Sequence, residues 1–140
     1  MTCILVIDDD RAICDVIKLI LVAAGYSVTL AHNGAAGLEA AQRTFFAVAL
    51  VDLCMPGVNG LEIIRALQES TPQTRLVLIS GLISEGGAPD FLGMATNLEG
   101  VARLGKPVRR GTLLDVISAC LPAPAAPSSQ ANEARVSTAV

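Results

Sequence analysis

Four polar stations interrupt an otherwise apolar chain. They are Asp8-Asp9-Asp10 after CILVI, Asp52 after VALV, Ser80 after RLVLI, and Lys106-Pro107 after VARLG. Brought into one cleft, Asp8, Asp9 and Asp52 would repel each other, and a single lysine cannot neutralise three carboxylates. Such a group must take up protons or hold a cation. All-oxygen donors favour Mg²⁺, which takes one or two carboxylates, several waters and a phosphate oxygen. The plainer role for an aspartate at a strand end is to cap the next helix. Asp10, one residue before a helical pattern, is expected to do that.

The elements that carry these residues follow from apolar patterning. Residues 3–8, 27–31, 48–53, 75–80 and 101–104 read as strands, the third of them, VALVDL, cut off by Met55-Pro56-Gly57. Residues 11–25 have helical period, with Arg11, Asp15 and Lys18 on one face and Ile13, Val16, Ile17 and Ile20 on the other. Helices are also expected at 34–43, 60–70, 91–98 and 109–121, with a glycine-rich loop at 81–90. Strands alternating with helices, each strand almost wholly apolar, predict an α/β fold with a parallel sheet covered on both faces. The expected form is flavodoxin-like, a doubly wound (βα)5 unit of strand order 2-1-3-4-5. In such sheets ligands bind beyond the carboxyl ends of the strands, at the switch point between the first and third. The strands around that point deliver all four polar stations to one rim.

Length and composition narrow the function classes. The 140 residues suit one core, and 52% hydrophobic with 16% charged residues is a globular composition. A net charge of −3 without a basic patch argues against direct nucleic-acid binding. No apolar run reaches the length of a membrane span, and the N-terminus starts on a strand pattern without a signal peptide, so a cytoplasmic location is expected. Cys3, Cys14, Cys54 and Cys120 have no metal-ligand spacing and read as small reduced hydrophobes. His32, the one histidine, has no partner in the sequence and is expected at the surface. From Pro122 the apolar periodicity stops. Residues 1–121 are therefore expected to form the domain and 122–140 a disordered Ala/Pro/Ser-rich tail.

With these motifs in order on successive strand ends, residues 3–121 resemble the receiver domain of two-component response regulators. The motifs that carry the resemblance are VIDDD, LVDLCMPGVNG, LVLISG and LGKPV. The resemblance implies that Asp52 is the phosphoacceptor and that a sensor histidine kinase or phosphotransfer protein is the donor. It implies Mg²⁺, or Mn²⁺, held by Asp9 directly, by Asp8 mainly through water, by Asp52, and by the Cys54 backbone carbonyl. Ser80 and Lys106 would contact phosphoryl oxygens, Pro107 would follow a cis peptide bond, and Gly60 would open a helix. Output would run through a downstream protein target or onward relay, and the chain would not be a turnover enzyme. Either Ile13 or Cys14 is expected to stay exposed and dock on the kinase.

The chain departs from the family pattern in three places. Arg103 stands where an aromatic switch residue is usual, the Ser80–Lys106 interval is long, and no output domain follows, so a stand-alone receiver is expected. Two other classes compete. An aspartyl-phosphate phosphatase would need a second aspartate at position 54, where this chain has cysteine. A pseudo-receiver, an interaction module without phosphate, would have lost an acidic or lysine position, and none is lost.

Overall fold

In the computed structural model, the structure describes residues 2–55, 58–80 and 100–121. The long strands are β1 (Cys3–Ile7), β2 (Ser27–Ala31), β3 (Val48–Asp52), β6 (Arg75–Ser80) and β7 (Ala102–Gly105). They form one parallel sheet in the order β2-β1-β3-β6-β7. This is the expected 2-1-3-4-5 order counted over the five long strands. The helices are α1 (Arg11–Ala23), α2 (Gly34–Arg43), α3 (Gly60–Ser70) and α4 (Arg110–Cys120). The expected helix at 91–98, the loop at 81–90 and the tail at 122–140 lie outside the described residues.

Side chains alternate across a strand, and each long central strand obeys that period on two buried faces. Ile4 and Val6, Val48 and Leu50, and Val77 and Ile79 point to one face, where Cys14, Ile17 and Leu21 of α1 and Leu113 and Ile117 of α4 cover them. Leu5 and Ile7, Ala49 and Val51, and Leu76 and Leu78 point to the other, under Ala41 of α2 and Leu61, Ile64 and Leu67 of α3. Burial on both faces is why the strands read as continuous apolar runs.

Three local features differ from the sequence reading. In α1 the buried stripe is Cys14, Ile17 and Leu21, spaced three and four apart, and Val16 is 47% exposed. The helix carries more apolar residues than one packed stripe can bury, so Val16 rotates out. Cys54–Met55 (β4) and Val58–Asn59 (β5), read as loop, form a small antiparallel ribbon. Two-residue strands are too short to show a period. His32, expected at the surface, is half-buried.

α1 ends two residues earlier than its apolar pattern, in a Schellman turn. Tyr26 N–H donates to Leu21 C=O at 3.0 Å and Gly25 N–H to Val22 C=O at 3.0 Å. Gly25 has φ +100°, a conformation that other residues rarely adopt. Among the described residues, no helix is long and apolar enough to cross a membrane.

Candidate functional site

Strand register places the polar residues. Ile7 pairs with Val51, so Asp8 and Asp52 emerge side by side. Asp52 pairs with Ile79 and Ser80 with Gly105, which brings Ser80 and Lys106 to the same rim. Lys106 N–H donates to Ser80 C=O at 3.2 Å, extending the ladder one step, and the Lys106–Pro107 peptide is cis, as the resemblance implied.

The three aspartates of the first loop divide their work. Asp10 caps α1: its Oδ1 accepts from Ala12 N–H at 3.0 Å and Ile13 N–H at 3.2 Å. Asp9 is exposed. Asp8 is wholly buried, its Oδ1 accepting from Asp10 N–H at 2.9 Å, while its buried Oδ2 has no hydrogen-bond partner. Carboxylate oxygens of Asp8, Asp9 and Asp52 lie within 4.8 Å of one another. Asp52 is buried, as is Ser80.

Lys106 faces both buried carboxylates, with Nζ 3.4 Å from Asp52 Oδ1 and 3.6 Å from Asp8 Oδ2. Partial burial works to lower its pKa, but Asp52 and then Asp8 outweigh that and hold it above the ordinary lysine value. Three carboxylates against one ammonium leave excess negative charge at the rim. A buried oxygen with an ion pair but no hydrogen bond, converging hard oxygen donors and three carboxylates around one ammonium fit a divalent cation such as Mg²⁺. Among the described residues, no thiol or imidazole joins this cluster.

The segment after Asp52 is drawn tight. Gly60 N–H donates to Leu53 C=O at 3.1 Å, and Leu53 N–H to Ile79 C=O at 2.8 Å. A β-carbon on Gly60 would clash with the Asp52 carbonyl oxygen and lie 2.7 Å from Leu53 Cα. Glycine is thus required where α3 opens behind β3. The Cys54 backbone belongs to β4, next in chain to this turn.

This constellation decides the family. The family description "Response regulator receiver domain" matches residues 4–118. The chain belongs to the response regulator receiver family. The receiver resembles the uncharacterized transcriptional regulatory protein YkoG of Bacillus subtilis, 40% identical over 77 residues, which are 55% of this chain and 34% of that protein. It is 32% identical over 123 residues to the transcriptional regulatory protein TrcR of Mycobacterium tuberculosis, covering 80% of this chain and 47% of that one. The chemotaxis protein CheY4 of Vibrio cholerae superposes with a TM-score of 0.78 at 26% identity, covering 86% of this chain and 99% of that one. The chain spans between a third and about half the length of these two curated relatives.

Receivers are phosphoacceptor modules of two-component signalling, and neither the phosphatase nor the pseudo-receiver reading is favoured. Arg103, at the usual aromatic position, is exposed on β7. Sequence reasoning missed one contact beside the site. Cys14 Sγ lies 3.2 Å and His32 Nδ1 3.4 Å from the Asp8 backbone oxygen, and these two side chains are 3.7 Å apart. Burial, with Asp8 adding to it, pushes the Cys14 thiol up to about 11. No spacing signal could have found this contact, because it joins residues 18 positions apart through the β1–β2 pairing.

Proposed function

We propose that Asp52 accepts a phosphoryl group from a phosphohistidine on a sensor histidine kinase or phosphotransfer protein. The observation that carries this is the Asp52 carboxylate, buried, paired with Lys106 at 3.4 Å, and clustered with Asp8 and Asp9. An Asp52 oxygen attacks phosphorus in line. The O–P bond forms, the N–P bond breaks, and the donor imidazole keeps the electron pair. Lys106 meets the charge that gathers on the phosphoryl oxygens, and the Ser80 hydroxyl stands at the same rim to donate to one of them. Asp8, Asp9, Asp52 and the Cys54 carbonyl would hold Mg²⁺ or Mn²⁺, which when bound supplies positive charge to the transferring phosphoryl group.

The proposed unit is a receiver over residues 1–121, acting in the cytoplasm and not as a turnover enzyme. Its output is altered binding to a downstream protein or onward relay, without direct nucleic-acid contact. Incubation with acetyl phosphate and MgCl₂, read by intact mass, tests the assignment. One added phosphoryl group is expected, lost in Asp52→Asn and on chelation. A modification that persists in Asp52→Asn would overturn it.

A further inference from the structure

β1 ends at Ile7, and Asp8 is held to the sheet through its N–H, which donates to Ala31 C=O at 3.0 Å. Its carbonyl oxygen meets two side chains from different elements. Cys14 comes from the first turns of α1, and His32 directly follows β2. A carbonyl oxygen only accepts, and it has two lone pairs. The thiol donates to it at 3.2 Å, and the imidazole, 3.4 Å away, bonds it in the tautomer that carries the proton on Nδ1. The bonded carbonyl belongs to the peptide that joins Asp8 to Asp9. Holding that plane restrains the two Cα atoms from which both carboxylates leave the chain.

We propose that Cys14 and His32 are positioning residues for the carboxylate cluster: they clamp the Asp8–Asp9 peptide and so preset Asp8 and Asp9 for a divalent cation. This rests on the reading of that cluster as the Mg²⁺ site. Outer partners that orient metal ligands typically carry about ten- to a hundred-fold in metal affinity or activity. The clamp also links the edge strand β2 to the rim, a contact that the acidic and lysine motifs do not contain.

The test follows phosphorylation by acetyl phosphate, read by intact mass, across a Mg²⁺ titration. Cys14→Ala and His32→Ala remove one donor each. Cys14→Ser keeps a donor, and so does His32→Asn, whose amide nitrogen can take the place of Nδ1. The alanine variants are expected to need about ten-fold more Mg²⁺ for half-maximal rate, with the rate at saturating Mg²⁺ unchanged. The serine and asparagine variants should stay near wild type. If Cys14→Ala does not fold, Cys14→Val fills the site without a donor. Folded donor-less variants with the wild-type Mg²⁺ requirement overturn the proposal. So does a loss in Cys14→Ser and His32→Asn equal to that in the alanines, because that pattern marks packing alone. Wild-type phosphorylation that ignores Mg²⁺ would instead overturn the underlying reading of the metal site.

Discussion

Gly60 sits against Asp52 so closely that a β-carbon there would clash with the Asp52 carbonyl oxygen. The contact is backbone to backbone, so no rotamer change relieves it. Gly60→Ala is therefore expected to cost about 1–3 kcal/mol in urea unfolding, the usual range for overpacking. It should also slow phosphorylation, since a shift of about 1 Å at a reacting group can cost a hundred-fold. Gly111, exposed in α4 with nothing within 4 Å of where a β-carbon would stand, is the control. Gly111→Ala, in the first turn of α4, should stabilise by less than the roughly 1 kcal/mol of a helix interior. Equal effects at the two glycines would contradict the close approach at Gly60.

Charge at the rim gives a prediction with a change of sign. Asp9 is the exposed member of a three-carboxylate cluster. With chelator present, Asp9→Asn removes repulsion and should leave the fold as stable or more stable, by less than about 1 kcal/mol because water screens the charge. With saturating Mg²⁺ the order should reverse, since wild type gains binding free energy that the variant loses. Urea midpoints in EDTA and in MgCl₂ check this. Parallel behaviour in both media would show that Asp9 takes no part in cation binding.

The alkaline limb of stability should be steep. The Cys14 thiol is raised from 9.0 to about 11, and Lys106 is raised above 10.5. In both cases the folded state holds the proton more tightly. The stabilisation is complete below the unfolded pKa and is lost as pH rises through the folded one. Wild-type stability should thus fall between about pH 9 and 11 through Cys14, by on the order of 2 kcal/mol, with Cys120, also raised by burial, adding to the same limb. Lys106 adds a further loss above 10.5. Cys14→Ser should flatten the first part of the limb in urea titrations and leave the second in place. A wild-type profile flat to pH 11 would refute the assignment.

Much of this was legible in the sequence for one physical reason. A sheet covered on both faces writes its strands as apolar runs, and those ranges match β1, β2, β3, β6 and β7 to within a residue or so. The site followed because the parallel register aligns all carboxyl ends, so Asp8, Asp52, Ser80 and Lys106 needed only their strand ends to be found. Contacts between side chains on separate elements were not legible. The apolar surplus of α1 hid which residues turn outward, and Val16 was placed on the wrong face. The Cys14–His32 contact depends on how α1 and β2 flank β1, which no local pattern encodes.

That outward turn of Val16 offers a test of the proposed phosphoryl donor. Of the two residues expected to dock, Cys14 is wholly buried and Ile13 is half-buried. Ile13 lines a groove of about 260 Å³ with Ala12, Val16, Pro107, Val108 and the stem of Lys106. The groove is mostly apolar and borders the lysine that faces Asp52. A kinase or phosphotransfer helix laid there would bring its phosphohistidine to the acceptor while burying an apolar ridge. Ile13 also packs against the core, so its replacement would confuse docking with folding. Val16, 47% exposed, is the cleaner probe. Val16→Glu should slow transfer from a phosphorylated sensor kinase by about ten-fold or more, the scale of losing one interface anchor. Transfer from acetyl phosphate, which needs no docking, should be unchanged. Equal slowing with both donors would mean that the substitution damages the acceptor site. Unchanged transfer from the kinase would mean that the partner approaches Asp52 by another face.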